Sequence, residues 1–436
     1  MGLLVGVGQT RPQYAYDYYY GIEWDVTVSN PKPTRIGKTE LHQSLPLQSM
    51  IRRCVLKDDG TVNYYLHAND STLRDNSAAA TLDGSHGMVM VELPDTYVRF
   101  EMDGNKRRCL MSNQELPGFT KWSKDYVSAY EAATDRTTGT IKLASVVNMA
   151  VAFRGGNNNA DWDGTYRNLL GRPATQISLT NFRAYARNRG SISWNCNTYQ
   201  IQRKLWWLFA VEYANFNSQD TFNAAPTGDG FRQGGLGAGV TTLANAAWNT
   251  FNSYYPFVPC GYTNSLGNHT GYVDFVMPSE YGTLTVQVPS YRGVENPFGH
   301  LWKWTDGCKC LIQSDASGGL SEFYVCDVPA NFTSSGVTNY ELRGYLPRSE
   351  GYVKEVILGE YGEIMPLSVG AGSTTYFCDY FYTNKPETGV SERGVSFGGT
   401  AYNGASAGFV FANTNPAATT TNASIGSRLC FIPGVA

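Results

Sequence analysis

The sequence has few charged residues, few histidines and no long apolar run. Charged residues make up 16% of the 436 positions, and there are five histidines. The formal net charge of -3 gives no general attraction to phosphate backbones, so we expect no nucleic-acid partner. No apolar run approaches the roughly 20 residues that span a bilayer, so we expect no membrane insertion.

Signals for secretion and for metal binding are also missing. The start, "MGLLVGVGQTRPQ", has no basic segment before its apolar residues and soon reaches Arg11, which is not typical of a signal peptide. Nine cysteines is an odd number, and Cys308 and Cys310 are too close for a usual zinc knuckle. We expect reduced and mostly buried thiols, synthesis in a cytoplasm and no metal site.

A further absence lies near the C-terminus. Between Arg393 and Arg428 there is no Asp, Glu, Lys, Arg or His, and the segment is mainly Asn, Thr, Ser, Ala and Gly with a few phenylalanines. On the residues alone, a glycine-rich loop with two β-strands accounts for this composition.

Hydrophobic and aromatic residues are plentiful. The sequence is 42% hydrophobic and 13% aromatic, with 29 tyrosines. It therefore has the composition of a folded chain that is long enough for two or three cores. Tyrosine suits recognition surfaces, but β-rich proteins also use it to pack sheets, and packing is the favoured interpretation for any single tyrosine.

The N-terminal third has the pattern of β-strands. Residues 1–20 are rich in Tyr and Gly, lack a clear period and are predicted to form an attachment tail that becomes ordered on a partner. Residues 21–135 contain alternating runs such as "IEWDVTVS", "NYYLHA" and "GMVMVELP". The runs "YVRFEM" and "KRRCLMS" are joined through Asp103, Gly104 and Asn105, which predicts a hairpin.

Two helices are predicted at about residues 178–189 and 198–215. The first begins with a capping Ser178 or Thr180 and stops at Gly190. The second has Thr198 as a possible cap and one apolar stripe, formed by Ile201, Leu205, Leu208 and Phe209. Core packing is the favoured role for Trp206 and Trp207.

The rest of the chain alternates loops with short strands, including "KCLIQS", "EFYVCDV" and "TTYFCDYFY". This pattern predicts an α+β domain with much loop on its surface. The run "GGLGAG" follows no strand of a βαβ unit and has no Walker lysine, so we expect a plain glycine loop and no nucleotide cofactor.

Several segments, in this order along the chain, resemble the C-type lectin fold in its formylglycine-generating-enzyme variety. They are the helices "ISLTNFRAYARNRG" and "RKLWWLFAVEYA", the signature "NPFGHLWKW", and the closing strands "RGVSFGG" and "IGSRLCF". The resemblance implies a C-type lectin domain over about residues 140–436, preceded by a β-rich N-terminal region. The whole chain, including "NPKPTRIG" and "LLGRPAT", also resembles the variable proteins of diversity-generating retroelements in gut Bacteroides phages and prophages, which are tail-fibre proteins.

The sequence departs from the enzyme branch of that fold. The enzymes need a pair of reactive cysteines in the strand after the closing signature, and this chain has none between Cys378 and Cys430. His300 and Lys303 stand where the family has Asn and Glu beside a calcium position, and an ammonium cannot ligate a cation. We therefore expect no enzymatic activity, and a structural calcium is in doubt.

The resemblance to retroelement-diversified proteins offers an explanation for the uncharged segment. In such proteins template adenines are copied into variable bases, so an asparagine codon never yields Lys, Glu, Gln, Met or Trp, and residues 396–426 contain none of these. A variable region is therefore predicted at about 396–424, on a scaffold that includes Gly399, Gly404, Gly408 and Phe409. The predicted receptor-binding residues are Ser396, Thr400, Tyr402, Asn403, Ser406, Phe411, Asn413, Asn415, Thr419, Thr421, Asn422 and Ser424.

The function that this resemblance implies is recognition of a bacterial cell-surface receptor, protein or glycan, at the tip of a phage tail fibre. The N-terminal region would join other fibre subunits, a homotrimer is expected by analogy with three-fold fibre shafts, and the protein would be made in the bacterial cytoplasm and assembled into the virion. A bacterial surface or pilus adhesin is the alternative, which the absent signal peptide disfavours.

A polysaccharide-active enzyme is a further alternative. Glycosidases place two carboxylates roughly 5 to 9.5 Å apart. Candidate carboxylates are Asp161, Asp163, Glu212 and Asp220, but linear sequence does not bring any two of them together. Surface or capping roles are favoured for most of them.

Overall fold

The computed structural model describes residues 13–164, 167–278 and 284–435. Within these residues the chain is mostly β-strand with few helices, so the predicted α+β class is confirmed only in part. The α-helices are α1 Thr39–Ser44, α2 Pro46–Ser49, α3 Leu179–Arg187, α4 Tyr199–Tyr213 and α5 Asn245–Asn252. Strands β1 to β13 are Tyr20–Asp25, Thr34–Gly37, Arg52–Leu56, Val62–His67, Asp70–Arg74, Met88–Leu93, Thr96–Asp103, Lys106–Ser112, Thr120–Trp122, Asp125–Ser128, Ala133–Asp135, Lys142–Ala144 and Trp194–Cys196. Strands β14 to β26 are Gly271–Val276, Thr285–Tyr291, Val294–Glu295, Trp302–Gln313, Ser321–Val325, Glu341–Tyr345, Gly351–Leu358, Glu363–Val369, Tyr380–Tyr382, Val390–Phe397, Ala412–Asn413, Ile425–Gly426 and Leu429–Phe431.

These strands form several sheets. A five-stranded sheet has the order β2-β1-β8-β7-β9, and a seven-stranded sheet has the order β13-β26-β10-β6-β3-β4-β5. Smaller sheets pair β11 with β12 and arrange β14-β15-β16. The nine-stranded sheet follows β19-β18-β17-β23-β24-β22-β20-β21, with β25 added beside β17.

The nine-stranded sheet is nearly closed. Its two ends, β19 and β21, contact each other. Arg343 of β19 reaches across the gap, where its Nη1 lies 3.4 Å from Glu363 Oε1 of β21 and its guanidinium stacks 3.5 Å from the ring centre of Tyr361. Closure protects the edge strands, which would otherwise present unpaired backbone groups.

The predicted hairpin of the N-terminal region is confirmed. Strands β7 and β8 pair antiparallel from Tyr97 opposite Ser112 to Asp103 opposite Lys106, with Gly104 and Asn105 in the turn. Gly104 has a φ of +55°, a conformation that glycine adopts without strain.

The last two residues of the predicted attachment tail, residues 1–20, are buried. Residues 1–12 lie outside the described part of the chain, and Gln13–Tyr18 forms a 3-10 turn. Tyr19 and Tyr20 are buried, and the Tyr20 hydroxyl donates to Gln48 Oε1 at 2.7 Å. Tyr20 therefore belongs to the folded core, because its hydroxyl finds a buried acceptor.

The N-terminal and C-terminal regions share a sheet and a core. Strand β26 lies between β10 and β13, with Phe431 opposite both Tyr126 and Trp194. One cluster of buried side chains runs from Tyr20 to Ile432. The division of the sequence at residues 135–140 stays a prediction, but the two parts do not pack as separate bodies.

Both predicted helices are confirmed, with their caps. Helix α3 begins after Ser178, whose Oγ accepts from the Asn181 N–H at 3.2 Å. Helix α4 begins after Thr198, whose Oγ1 accepts from the Ile201 N–H at 3.4 Å. These bonds satisfy backbone donors that have no partner within the helix.

Helix α4 is the centre of the core, as expected for Trp206 and Trp207. Both indoles are fully buried, and the Trp207 Nε1–H donates to Gly362 O at 2.7 Å. Trp207 stacks on Trp24 of β1 at 5.8 Å, which ties the helix to the N-terminal sheet. Core packing is thereby confirmed for these two residues.

The prediction that α4 buries a single apolar stripe is wrong, because the helix is buried on every side. Every residue except Gln200 is buried, including Arg203, Lys204 and Glu212. Each buried charge has an opposite charge nearby: Arg203 pairs with Glu363 at 3.0 Å, Lys204 with Asp125 at 3.3 Å, and Glu212 with Arg292 at 2.6 Å. Because these partners offset the cost of burying the charges, the charged side chains of α4 can lie in the core. The partners are far away in the sequence, so the spacing of apolar residues in α4 does not indicate this burial.

The expected buried thiols are confirmed. All nine cysteines are buried and none forms a disulfide. Burial raises the pKa of the Cys109 and Cys196 thiols, which keeps them protonated and unreactive at neutral pH. Over the described ranges, no helix combines the length and apolar character needed to cross a membrane.

The seam of the nine-stranded sheet yields a testable prediction. Glu363 Oε1 accepts from both Arg203 and Arg343, and all three side chains are buried. Replacing Glu363 by Gln leaves two buried guanidinium groups without this carboxylate, so we expect a loss of about 3–5 kcal/mol in the free energy of unfolding, measured by urea denaturation. The exposed Glu387→Gln is the control and should change it by about 0.5 kcal/mol or less. Equal stability of the two variants would contradict the prediction.

Candidate functional site

The uncharged C-terminal segment alternates short strands of the nine-stranded sheet with loops. Strand β23 pairs with β17, and β24 lies between β23 and β22, so Asn413 is opposite Ser396 on one side and Tyr382 on the other. Strand β25 runs parallel to β17, with Ile425 opposite Trp302. The loops at 398–411 and 414–424 are therefore tied to strands at both of their ends.

A buried carboxylate holds the base of the first loop. Asp379 Oδ2 accepts from the Val410 N–H at 2.8 Å. Gly408 packs directly on this carboxylate, since a Cβ at that position would lie 2.0 Å from Asp379 Oδ1. The predicted scaffold role of Gly408 has a physical basis here, because no larger residue fits.

Two glutamine side chains hold the rest of the loop backbone. Gln202 of helix α4 donates through Nε2 to Phe409 O at 2.8 Å. Gln219 donates through Nε2 to Gly404 O at 2.8 Å and to Ala407 O at 2.6 Å. The loop is fixed from beneath by buried or half-buried polar groups, and its outer face remains available.

The predicted receptor-binding residues divide into three groups by exposure. The exposed ones are Tyr402, Thr419, Thr421 and Asn422. The half-buried ones are Asn403, Ser406, Asn413 and Asn415. The buried ones are Ser396, Thr400, Phe411 and Ser424. Receptor binding stays a prediction for all of them, but the side chains of the buried group have little contact with the solvent.

Phe411 is a core residue. It is 0% exposed, and its ring centre lies 4.6 Å from Trp302 and 5.1 Å from Tyr382. Phe409 is also buried, with its ring 5.3 Å from Phe209 of α4. Both rings are large apolar groups that gain free energy by leaving water, so the loop turns them inward.

The three smaller buried residues lie within a strand or in turns that asparagine side chains close. Ser396 lies within β23, between two neighbouring strands. Asn403 Oδ1 accepts from the Thr400 N–H at 2.7 Å and from its Oγ1 at 2.8 Å. Asn422 Oδ1 accepts from both the N–H and the Oγ of Ser424 at 2.9 Å. These asparagines close turns with their side-chain oxygens, as Asn commonly does.

Tyr402 is the exposed aromatic residue of the first loop. It is 36% exposed, and its ring lies 5.9 Å from the buried Trp248 and 6.0 Å from Tyr254. Burial of its inner side raises the pKa of its hydroxyl, so the group stays a neutral donor at physiological pH. Sequence analysis did not connect Tyr254 with this surface, because nothing local brings it close to Tyr402.

Another set of tyrosines borders the same loop. Tyr352 and Tyr380 meet edge to face with ring centres 5.0 Å apart, and Tyr380 and Tyr382 lie 5.1 Å apart. The Tyr352 hydroxyl lies 3.3 Å from Ser406 Oγ. Sequence analysis missed this row as well, since Tyr352 comes from β20 and reaches the segment only through sheet pairing.

The calcium position that the resemblance implies is filled by an ammonium. Lys303 Nζ lies 3.2 Å from Gly299 O, 2.9 Å from Leu301 O and 3.1 Å from Glu131 Oε1. Burial lowers the pKa of Lys303 to about 8, although Glu131 opposes the shift. His300 donates from Nδ1 to Glu131 Oε2 at 2.5 Å. These residues do not fit a calcium ion.

In the part of the chain that the structure describes, three or more His, Cys, Asp or Glu side chains nowhere come together in a way that could hold an ion.

Comparisons with known proteins find similar solved structures at low identity. No family model matches the sequence, and no curated protein matches it. The structure of PvdO from Pseudomonas aeruginosa is 10% identical, with 81% of this chain and 99% of that chain covered and a TM-score of 0.32. The U1 and P3c variants of the Major Tropism Determinant are each 13% identical, with 88% of this chain and 72% of the other covered and TM-scores of 0.25 and 0.26. At these TM-scores, no conclusion about fold or function rests on the likeness.

The buried carboxylate beneath the loop predicts a pH effect. Burial raises the pKa of Asp379 well above its ordinary range, although the amides of Val410 and Phe411 oppose the shift. Its favourable contribution to stability is therefore present below about pH 4, the ordinary carboxyl pKa, and is lost as the pH rises through the raised pKa. Asp379→Asn removes this titration. We expect the free energy of unfolding of the variant, relative to wild type, to increase from about pH 4 to about pH 8.

Urea denaturation at a series of pH values measures this effect. The matched control is Asp274→Asn on β14, an exposed aspartate whose replacement should leave the pH profile unchanged. Parallel profiles for Asp379→Asn and wild type would show that Asp379 does not titrate differently in the folded and unfolded states.

Proposed function

We propose that the protein is a receptor-binding protein at the tip of a phage tail fibre, where it recognises a bacterial surface molecule through residues 396–424. One observation carries the proposal: the loop backbone is held by the buried Asp379 and Gln202 and the half-buried Gln219, while its outer face presents uncharged polar and aromatic side chains. A fixed backbone beneath exchangeable side chains suits recognition, because surface substitutions cost little stability.

The fold proposed for about residues 140–436 is the C-type lectin fold in its formylglycine-generating-enzyme variety. The order of α3, α4 and the sheet β17 to β24 supports it, as does the return of β26 to the strands that precede α3. The signature segment "NPFGHLWKW" is bonded to the start of the loop at 398–411. There the Gly299 N–H donates to Gly398 O at 2.9 Å.

The exposure of the side chains reduces the set of candidate contact residues. Tyr402, Ser406, Asn413 and Thr419 present side chains at the surface, whereas the buried residues of the segment support the backbone. Tyrosine, serine and asparagine also dominate antibody paratopes, because they combine stiff contact area with adaptable hydrogen bonding.

A catalytic role is not proposed. Of the candidate carboxylates, Glu212 is paired with Arg292 at 2.6 Å, and Asp163 accepts from Arg154 Nε at 2.6 Å. Asp220 lies 3.3 Å from Lys32 Nζ. These groups serve as ion-pair partners, and the missing reactive cysteine pair argues against oxidase chemistry.

Adsorption to cells tests the proposed surface. We expect the simultaneous replacement of Tyr402, Ser406 and Asn413 by alanine to lower binding of the fluorescently labelled protein to a panel of gut Bacteroides strains by about tenfold or more. The reason is that a few central aromatic and polar residues usually carry most of the binding energy. The thermal midpoint of unfolding should change little, because Tyr402 is exposed and Ser406 and Asn413 are only half-buried.

The matched control replaces Tyr97 and Thr120, which lie on β7 and β9 of the N-terminal sheet. This variant should bind like wild type. If the triple variant remains folded and adsorbs normally, recognition lies elsewhere on the molecule. If wild type adsorbs to no strain, the proposed function itself fails.

We also propose that the N-terminal region joins the protein to other fibre subunits and that the assembly is a homotrimer. Three copies presented together would gain avidity from individually weak sites. Light scattering of the full-length protein at micromolar concentration should give about three times the mass of the 48.0 kDa chain. A monomer under these conditions would overturn the trimer.

A further inference from the structure

We propose that tyrosines outside the C-terminal segment, namely Tyr254 and the row Tyr352, Tyr380 and Tyr382, complete the recognition surface, and that its ligand is an uncharged glycan chain. The inference rests on the proposed function, because it takes the loop at 398–411 as the centre of the surface. It adds an aromatic border from outside the C-terminal segment and a chemical class of ligand.

The tyrosine row is continuous with the predicted contact residues. Tyr382 pairs in register with Asn413, and the Tyr352 hydroxyl lies 3.3 Å from Ser406 Oγ. Tyr380 bridges the other two tyrosines at ring distances of 5.0 and 5.1 Å. All three tyrosines of the row are half-buried, so each presents part of its ring or hydroxyl to the solvent.

Tyr254 borders the loop on the side of Tyr402, and its backbone is strained. Tyr254 and the preceding Ser253 have φ values of +67° and +51°. Residues other than glycine adopt positive φ values uncommonly. The ring of Tyr254 is held 5.7 Å from Trp248 and 6.0 Å from Tyr402. Strained conformations of this kind concentrate at binding sites, where the surrounding structure enforces them.

The C-terminal segment offers no charged side chain to a ligand. No residue between Arg393 and Arg428 is charged. Arg428 is buried, and Arg393 donates to Asn415 O and to Asn384 Oδ1. A ligand charge brought against this segment would lose water without gaining an opposite charge, which is costly.

The charge beside the tyrosine row disfavours an anionic ligand in particular. Burial, and secondarily the nearby carboxylate of Glu350, raise the pKa values of Tyr380 and Tyr382. The phenols therefore stay neutral hydrogen-bonding groups, and Glu350 would repel a uronate or sulfate. A neutral saccharide matches this environment.

A glycan fits the surface better than a protein does. A protein partner of standard size buries about 800 Å² per side and brings charged residues to the contact, since charged residues are about a quarter of ordinary sequences. Neutral sugars present C–H faces and hydroxyl groups, which complement ring faces, amides and hydroxyls. The side chains around the loop are of these kinds: Tyr402, Asn413, Ser406 and the four tyrosines of the border.

Cell binding before and after chemical treatment distinguishes the ligand classes. The probe is the set of intact Bacteroides strains to which full-length wild-type protein adsorbs, either untreated or oxidised with periodate, which cleaves sugars that carry neighbouring hydroxyls. We expect periodate to lower adsorption at least tenfold. Adsorption that survives periodate and is lost after protease treatment overturns the glycan and leaves the proposed function standing. Adsorption to no untreated strain overturns both.

Substitutions test the tyrosines outside the C-terminal segment separately. Tyr254→Asn removes the ring and keeps a residue that tolerates the left-handed conformation, and Tyr352→Ala removes the contact with Ser406. Each should lower adsorption at least fivefold without a shift in the thermal midpoint. Tyr97→Ala, on the N-terminal sheet, is the control and should bind like wild type. Folded Tyr254→Asn and Tyr352→Ala variants that adsorb like wild type would overturn the role of these tyrosines.

Discussion

The pairing of buried charges around helix α4 is the constraint on which the rest of the molecule depends. Arg203, Lys204 and Glu212 project from one helix into a core that excludes water, and their partners lie 160, 79 and 80 positions away along the chain. A buried charge without a partner is costly, so α4 can occupy the centre only when three distant segments are in place. The same helix therefore joins the N-terminal sheet, the nearly closed sheet and the segment around residue 292.

This central helix also reaches the candidate recognition surface. Gln202 of α4 donates to the backbone of Phe409, and the rings of Phe209 and Phe409 are in contact. Together with the carboxylate of Asp379, these contacts fix the loop from below. A loop held in this way has already lost its backbone freedom, so ligand binding need not order it. Under the proposed function, the inner face of this segment serves stability and the outer face serves recognition.

The candidate site could be predicted only in part from the sequence. Its location at an uncharged, asparagine-rich segment was visible, and Tyr402 is exposed as expected. Phe411 was predicted to be a receptor-binding residue, yet its ring is buried against Trp302. Tyr254 and Tyr352 were missed because they belong to segments about 150 and 50 positions earlier, which only sheet pairing and loop packing bring together.

The sequence by itself determined the local elements of this protein. Capping by Ser178 and Thr198 defined the starts of two helices, and the turn at Gly104 defined a hairpin, because these signals act through hydrogen bonds and backbone angles within a few residues. Only the tertiary structure decided that α4 is buried on all sides, that Lys303 pairs with Glu131, and that Phe411 turns inward. Each of these outcomes depends on groups far away in the chain, whose contacts exist only after the sheets have assembled.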